Sequence, residues 1–174
     1  MDDSFFAYLQ QLELMAFFSG YPLIYAAVLV FAGKQHEKNE FKIRAVSLLP
    51  FAYAFVGTLF LGFQLRKLYP DYSIEHIKLT IQQPLLIIWG LLSVLFWIPA
   101  LAKKRVLSLI HSLVFFFFLA KDLFVQLFNP SANNDIIRND VKIYSNSLLL
   151  NLGAVILIIL LSFLYTYYKK RFRS

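Results

Sequence analysis

The side chains that most invite a chemical reading lie in one apolar stretch. Over residues 106–128, Ser108, His111, Ser112, Phe115, Asp122 and Gln126 fall within a sector of roughly 100° on a helix, while Lys121 points elsewhere. A histidine and a carboxylate on one stripe are the residue types of a proton or ion relay, since both can change charge. Eleven positions separate His111 from Asp122, about 16 Å along a helix axis, so the two cannot touch directly. The structural alternative is that Asp122 pairs with a nearby donor and the serines bond to their own backbone. Either way the stripe should face other helices and not lipid.

A second polar face lies near the C-terminus, where Ser147, Asn151, Ala154, Ile158, Ser162 and Tyr165 recur at helical spacing. Asn151 is expected near the depth of Asp122, and the two are expected to fasten the fourth and fifth spans together. Small residues supply a third signal. Ala54, Gly57, Thr58 and Gly62 are candidates for close helix packing, as is the pair Ala16 and Gly20.

Cofactor chemistry finds no matching ligand set. The histidines are His36, His76 and His111, and no two fall at one depth inside an apolar stretch, as a haem held by two histidines requires. There is no cysteine, no Gly-rich phosphate loop, no His-Glu-x-x-His and no Gly-x-Ser-x-Gly. No cofactor, metal ligand or catalytic residue is therefore expected, and an enzyme is the weaker expectation.

The elements that must position these residues follow from composition. Of the 174 residues, 59% are hydrophobic and 16% charged, against roughly 45–50% and 25% in soluble domains. Nineteen Phe and ten Tyr suit lipid and its interfaces. Crossing about 30 Å of hydrocarbon takes about 20 apolar residues. Residues 14–33, 45–65, 84–102 and 147–168 are uncharged runs of that order, and 106–128 is a fifth run interrupted by Lys121 and Asp122. The expected fold is an all-α integral membrane protein, a bundle of five transmembrane helices forming one domain over 14–174. The first segment, MDDSFF, lacks the basic start and cleavage site of a signal peptide, so the first span is expected to be retained.

Orientation follows from charge, because Lys and Arg concentrate on the cytoplasmic side. With five spans, eleven flank one side: Lys34, Lys38, Lys42, Arg44, Lys103, Lys104, Arg105, Lys169, Lys170, Arg171 and Arg173. Five flank the other: Arg66, Lys67, Lys78, Arg138 and Lys142. The expected topology is N-terminus out and C-terminus in. If 106–128 failed to cross, this bias would largely vanish. The basic residues occupy three short membrane-flanking segments, which favours a rim facing phospholipid and gives no reason to expect nucleic acid.

Two amphipathic segments should lie on the outer surface. Residues 1–13 place Phe5, Phe6, Leu9 and Leu12 at helical spacing behind Asp2, Asp3 and Ser4. After a Tyr-Pro-Asp-Tyr turn, Ser73 is placed to cap a helix carrying Ile74, Ile77 and Ile81 on one face. Richness in Phe, Ile, Lys and Asn without Cys points to a bacterial inner membrane. Both soluble faces are too small to fold alone, so the expected function is a structural or accessory subunit, a scaffold, in a larger assembly such as a secretion, motility or energy-transducing complex. The expected partners are membrane lipids and other membrane subunits, or further copies of the chain. A small transporter or proton conductor using the stripe, or a lipid-modifying enzyme, are the alternatives.

Overall fold

A computed structural model describes the backbone of residues 3–33, 40–128 and 134–171 and the side chains within them, except those of 3–7, 33, 40, 126, 127 and 134–140. Gln126 and His36 thus lie outside the described side chains. All described secondary structure is helical: α1 Asp3–Phe18, α2 Tyr21–Gly33, α3 Glu40–Leu68, α4 Ile74–Thr80, α5 Pro84–Leu91, a 3-10 segment Leu92–Trp97, α6 Pro99–Ala102, α7 Arg105–Phe128 and α8 Asn134–Arg171. Four stretches are long and apolar enough to cross a bilayer: Tyr8–Ala32, Phe41–Leu68, Arg105–Val125 and Val141–Arg171. The pair Ile74–Thr80 and Pro84–Trp97, bent by 97°, supplies a fifth if it is counted as one broken span.

The interrupted run over 106–128 is an unbroken helix, with Lys121 exposed on its surface. The breaks fall elsewhere. Pro99 disfavours helical geometry at the residue before it, and Ile98 is extended, at φ −73° and ψ 119°. Pro84 and Pro99 then each start a helix, where the missing N–H has no partner to lose. In the first span the chain turns at Ser19–Gly20, between α1 and α2. Helix α1 runs through residue 13 without interruption, so the segment expected at the interface and the start of the first span are one helix.

Helix α3 is the axis of the bundle. At its Lys67 end it meets α1 and the region of Thr80 and Gln82, which line a common cavity with it. Further along, Gly57 lies against Ser93, and the Trp97 indole Nε1–H donates to Thr58 Oγ1 at 2.9 Å. At the opposite end Ser47, Leu48 and Phe51 share a second cavity with Pro99, Ala102, Lys103 and Arg105. The chain from Gln82 to Lys103 therefore runs antiparallel to α3 between Lys67 and Ser47. Ser47 and Lys67 are twenty residues apart on α3, about 30 Å at 1.5 Å per residue, which is the thickness of a hydrocarbon core.

The core is aromatic. Phe18 stacks on Phe115 at 4.8 Å and meets Phe60 edge-on at 5.3 Å and Tyr53 at 5.6 Å. Leu14, Tyr21, Leu49, Val56 and Val155 close around them. In lipid, helices gain little by hiding apolar surface from one another, so such interlocking contacts and a few buried hydrogen bonds must hold the bundle. Gly57 fits that need: a Cβ there would sit 2.0 Å from Ser93 Oγ and 3.1 Å from Val94 N. Gly62, expected to pack likewise, does not, because a Cβ there meets nothing within 4 Å.

Candidate functional site

The stripe on α7 does turn inward: Ser108, His111 and Ser112 are all buried. Ser108 Oγ donates to the Arg105 carbonyl at 2.8 Å and shares a 2.9 Å bond with the Tyr21 hydroxyl. One hydroxyl has one proton, so Tyr21 is the donor to Ser108. Ser112 bonds the Leu109 carbonyl at 2.8 Å. His111 Nδ1 lies 2.7 Å from the Tyr53 hydroxyl, and its ring stacks on Trp89 at 4.7 Å with 6° between planes. The Trp89 indole Nε1–H donates to the His111 carbonyl at 3.3 Å. His111 Nε2 is buried with no hydrogen-bond partner among the described residues.

Asp122 and Asn151 do not form the expected fastening between the fourth and fifth spans; each bonds the first. Gln11 Nε2 on α1 donates to Asp122 Oδ2 at 3.0 Å. Asn151 Nδ2 on α8 donates to the Phe17 and Ser147 carbonyls, both at 2.8 Å. For Asn151 the cause is the turn at Ser19–Gly20. Breaking a helix in lipid frees backbone groups that no water can serve. Asn151 takes the Phe17 carbonyl, Ser147 Oγ accepts from the Gly20 N–H at 2.9 Å, and Ser19 Oγ returns to the Met15 carbonyl at 2.6 Å. Gly20 is needed for that approach, since a Cβ there would fall 2.6 Å from the backbone of Ser147 and Leu148.

Two polar clusters escaped the sequence pattern. At the Lys103 end of the bundle, Arg44 on α3 clamps α8: its guanidinium donates to Ser162 Oγ, the Ser162 carbonyl at 2.7 Å and Thr166 Oγ1 at 2.5 Å, and lies over the Phe163 ring at 5.3 Å. At the Lys67 end, buried Gln10 holds the turn between α4 and α5. Its Oε1 accepts from the Gln82 and Gln83 amides at 3.0 and 2.9 Å, and its Nε2 donates to the Thr80 carbonyl. Ser73 caps α4 as its sequence predicts, accepting from the His76 amide at 3.2 Å. The Ser73 amide and hydroxyl in turn hold the exposed Asp71 carboxyl below the usual carboxylate range. These partners are 70 to 122 positions apart in sequence for Gln10 with Thr80 and Arg44 with Thr166, and only the polarity of Gln10, Gln11, Ser162 and Thr166 within or beside apolar runs signals them.

Beside Gln10 opens a groove of about 560 Å³ between α1, the end of α3 and α4. Its floor carries an ion pair, Lys67 Nζ at 2.9 Å from both Glu13 carboxylate oxygens. His76, Thr80 and Gln82 edge it, with Leu9 and Leu79 as apolar walls. Among the described residues no group of three or more acids, histidines or cysteines is arranged to hold a metal. No protein-family model, curated protein or solved structure matches the chain.

Proposed function

We propose that this chain is a non-enzymatic structural subunit of a larger membrane assembly, crossing a bacterial inner membrane five times with its N-terminus outside. The observation that carries this reading is how the α7 stripe is used. Tyr21 with Ser108, Tyr53 with His111 and Gln11 with Asp122 each join α7 to a different partner helix segment, which is what a bundle of fixed shape needs. A conductor reading draws on one observation, the buried Nε2 of His111.

Five crossings are supported by the antiparallel path of 82–103 along α3 and by the eleven-to-five bias of basic residues. The wild-type chain has no cysteine, so single cysteines report topology cleanly. In sealed cells an impermeant maleimide should label Ser73→Cys, while Lys104→Cys and Ser174→Cys should label only after permeabilisation. Labelling of Ser73→Cys and Lys104→Cys from the same side would remove the fifth crossing.

The subunit role is tested by gentle detergent extraction followed by native sizing and mass spectrometry. A stoichiometric complex with other membrane proteins is expected. A homo-oligomer alone would favour the conductor, and a lone protomer would defeat the subunit reading.

A further inference from the structure

The groove at the Lys67 end has the features of a ligand site that the scaffold role does not use. Its volume, about 560 Å³, lies within the roughly 300–1,000 Å³ of small-molecule sites. Glu13 and Lys67 put one negative and one positive charge side by side on its floor, both about three-quarters buried. Lys67 Nζ has three N–H donors; two face the Glu13 oxygens, and the ammonium also lies 5.7 Å from the centre of the Phe63 ring, so the third N–H and the remaining carboxylate lone pairs are what a guest would engage. His76 adds a ring on the same rim, with Nε2 3.4 Å from Thr80 Oγ1.

The pairing of signs selects the guest. A simple anion would gain Lys67 and be repelled by Glu13; a simple cation would meet the reverse. A molecule carrying both signs on adjacent groups satisfies both, with its cation against Glu13 and its anion against Lys67 and His76. The depth of the groove narrows the class further. It lies at the last turn of α3, where Arg66 and Lys67 end an apolar span, and Leu79 on its wall is 75% exposed. Such a position is the headgroup layer.

We propose that this groove binds a zwitterionic aminoethyl phosphate group, its ammonium on Glu13 and its phosphate on Lys67 and His76. The group is available as the head of an ethanolamine phospholipid, whose chains would run down past Leu9 and Leu79, or as the soluble phosphomonoester. The site does not depend on which partners the chain assembles with.

The test uses the full chain purified in a neutral maltoside detergent. Short-chain phosphatidylethanolamine, phosphatidylcholine and phosphatidylglycerol are titrated separately, with binding read by native mass spectrometry and by the shift of the melting curve. Ethanolamine lipid is expected to bind about tenfold more tightly than either other lipid, a difference of about 1.4 kcal/mol. Trimethylation removes the N–H donors that Glu13 would accept, and glycerol removes the positive charge. Glu13→Gln should abolish the preference for ethanolamine over choline, and Lys67→Met should weaken both. Leu79→Asp, on an exposed side chain, puts a charge in the wall without touching the core and should weaken ethanolamine lipid even where the other variants fold poorly. Competition by soluble phosphoethanolamine would assign the headgroup alone as sufficient; its failure, with lipid still bound, assigns the lipid. Equal affinity for the three lipids, or a preference that survives Glu13→Gln and Leu79→Asp, overturns the proposal.

Discussion

Gly57→Val is expected to destabilise the bundle by about 3 kcal/mol, at the upper end of overpacking costs, while Gly62→Val stays within about 0.5 kcal/mol of wild type. The two glycines belong to the same helix, and only their surroundings differ. At Gly57 the first added carbon would lie 2.0 Å from Ser93 Oγ, 3.0 Å from Ser93 Cβ and 3.1 Å from Val94 N. The hydroxyl is not free to swing aside, since it donates to the Gly90 carbonyl at 2.5 Å. Val94 N is backbone and moves only with the whole 3-10 segment. Ser93→Ala should therefore recover part of the loss in Gly57→Ala, where one methyl and one hydroxyl compete for the same space. At Gly62 there is open room, and Gly62→Ala should gain up to about 1 kcal/mol from helix propensity. Reversible denaturation in mixed detergent micelles measures all of these variants. A Gly57→Val protein as stable as wild type would mean that α3 and the 3-10 segment are not in contact in the membrane.

That contrast also marks what the sequence can disclose. Gly57 and Gly62 are five residues apart, about 140° around a helix at 100° per residue, so a pattern of small residues could not place both on one contact. The four uncharged runs were legible because nothing but lipid or a helix core tolerates so many consecutive apolar side chains. The breaks inside them were not. Gly20 reads as one of a small pair suited to close helix packing, and it does meet α8 closely, but nothing local marks a turn at Ser19–Gly20, whose freed backbone groups are met by Ser147 and Asn151 on α8. The Ser147 acceptor and the Asn151 donor are 127 and 134 positions from the groups they serve. Helix α1 illustrates the same limit from the other side. Gln10, Gln11 and Glu13 suggest a surface helix, yet each has a partner in another helix or loop, so polarity alone could not separate interface from bundle.

For the candidate site, periodicity identified the inward face of α7 and could not identify its partners. A stripe of Ser108, His111 and Ser112 turned toward other helices is a local property of one segment, fixed by the helical repeat. That His111 meets Tyr53 and Trp89, or that Asp122 meets Gln11, depends on how α1, α3, α5 and α7 are arranged. The same holds for Glu13 and Lys67, which come from spans 54 positions apart.

His111→Ala is expected to cost about 2–5 kcal/mol, in the range of deleting a large buried side chain, and to leave no proton pathway impaired. The imidazole fills the space between Tyr53, Trp89, Phe96 and Phe115, so its removal leaves a void as well as an unpaired tyrosine hydroxyl. Tyr53→Phe removes only the hydroxyl, and a double-mutant cycle between the two should give a coupling of about 0.6–1.7 kcal/mol, as for hydrogen bonds between helices in lipid. A relay makes different demands. Protons leaving His111 for Asp122 would have to pass Phe115 and Leu119, both buried and neither able to carry them, over about 16 Å of helix. Asp122→Asn keeps an oxygen for the Gln11 amide and should still fold; in a relay it would stop transfer. Proteoliposomes bearing a potassium diffusion potential separate the two cases. Proton uptake no faster than in empty liposomes is expected for wild type, His111→Gln and Asp122→Asn alike. Uptake by wild type that both substitutions abolish, with the protein still folded, would make His111 and Asp122 working residues of a conductor and end the scaffold reading.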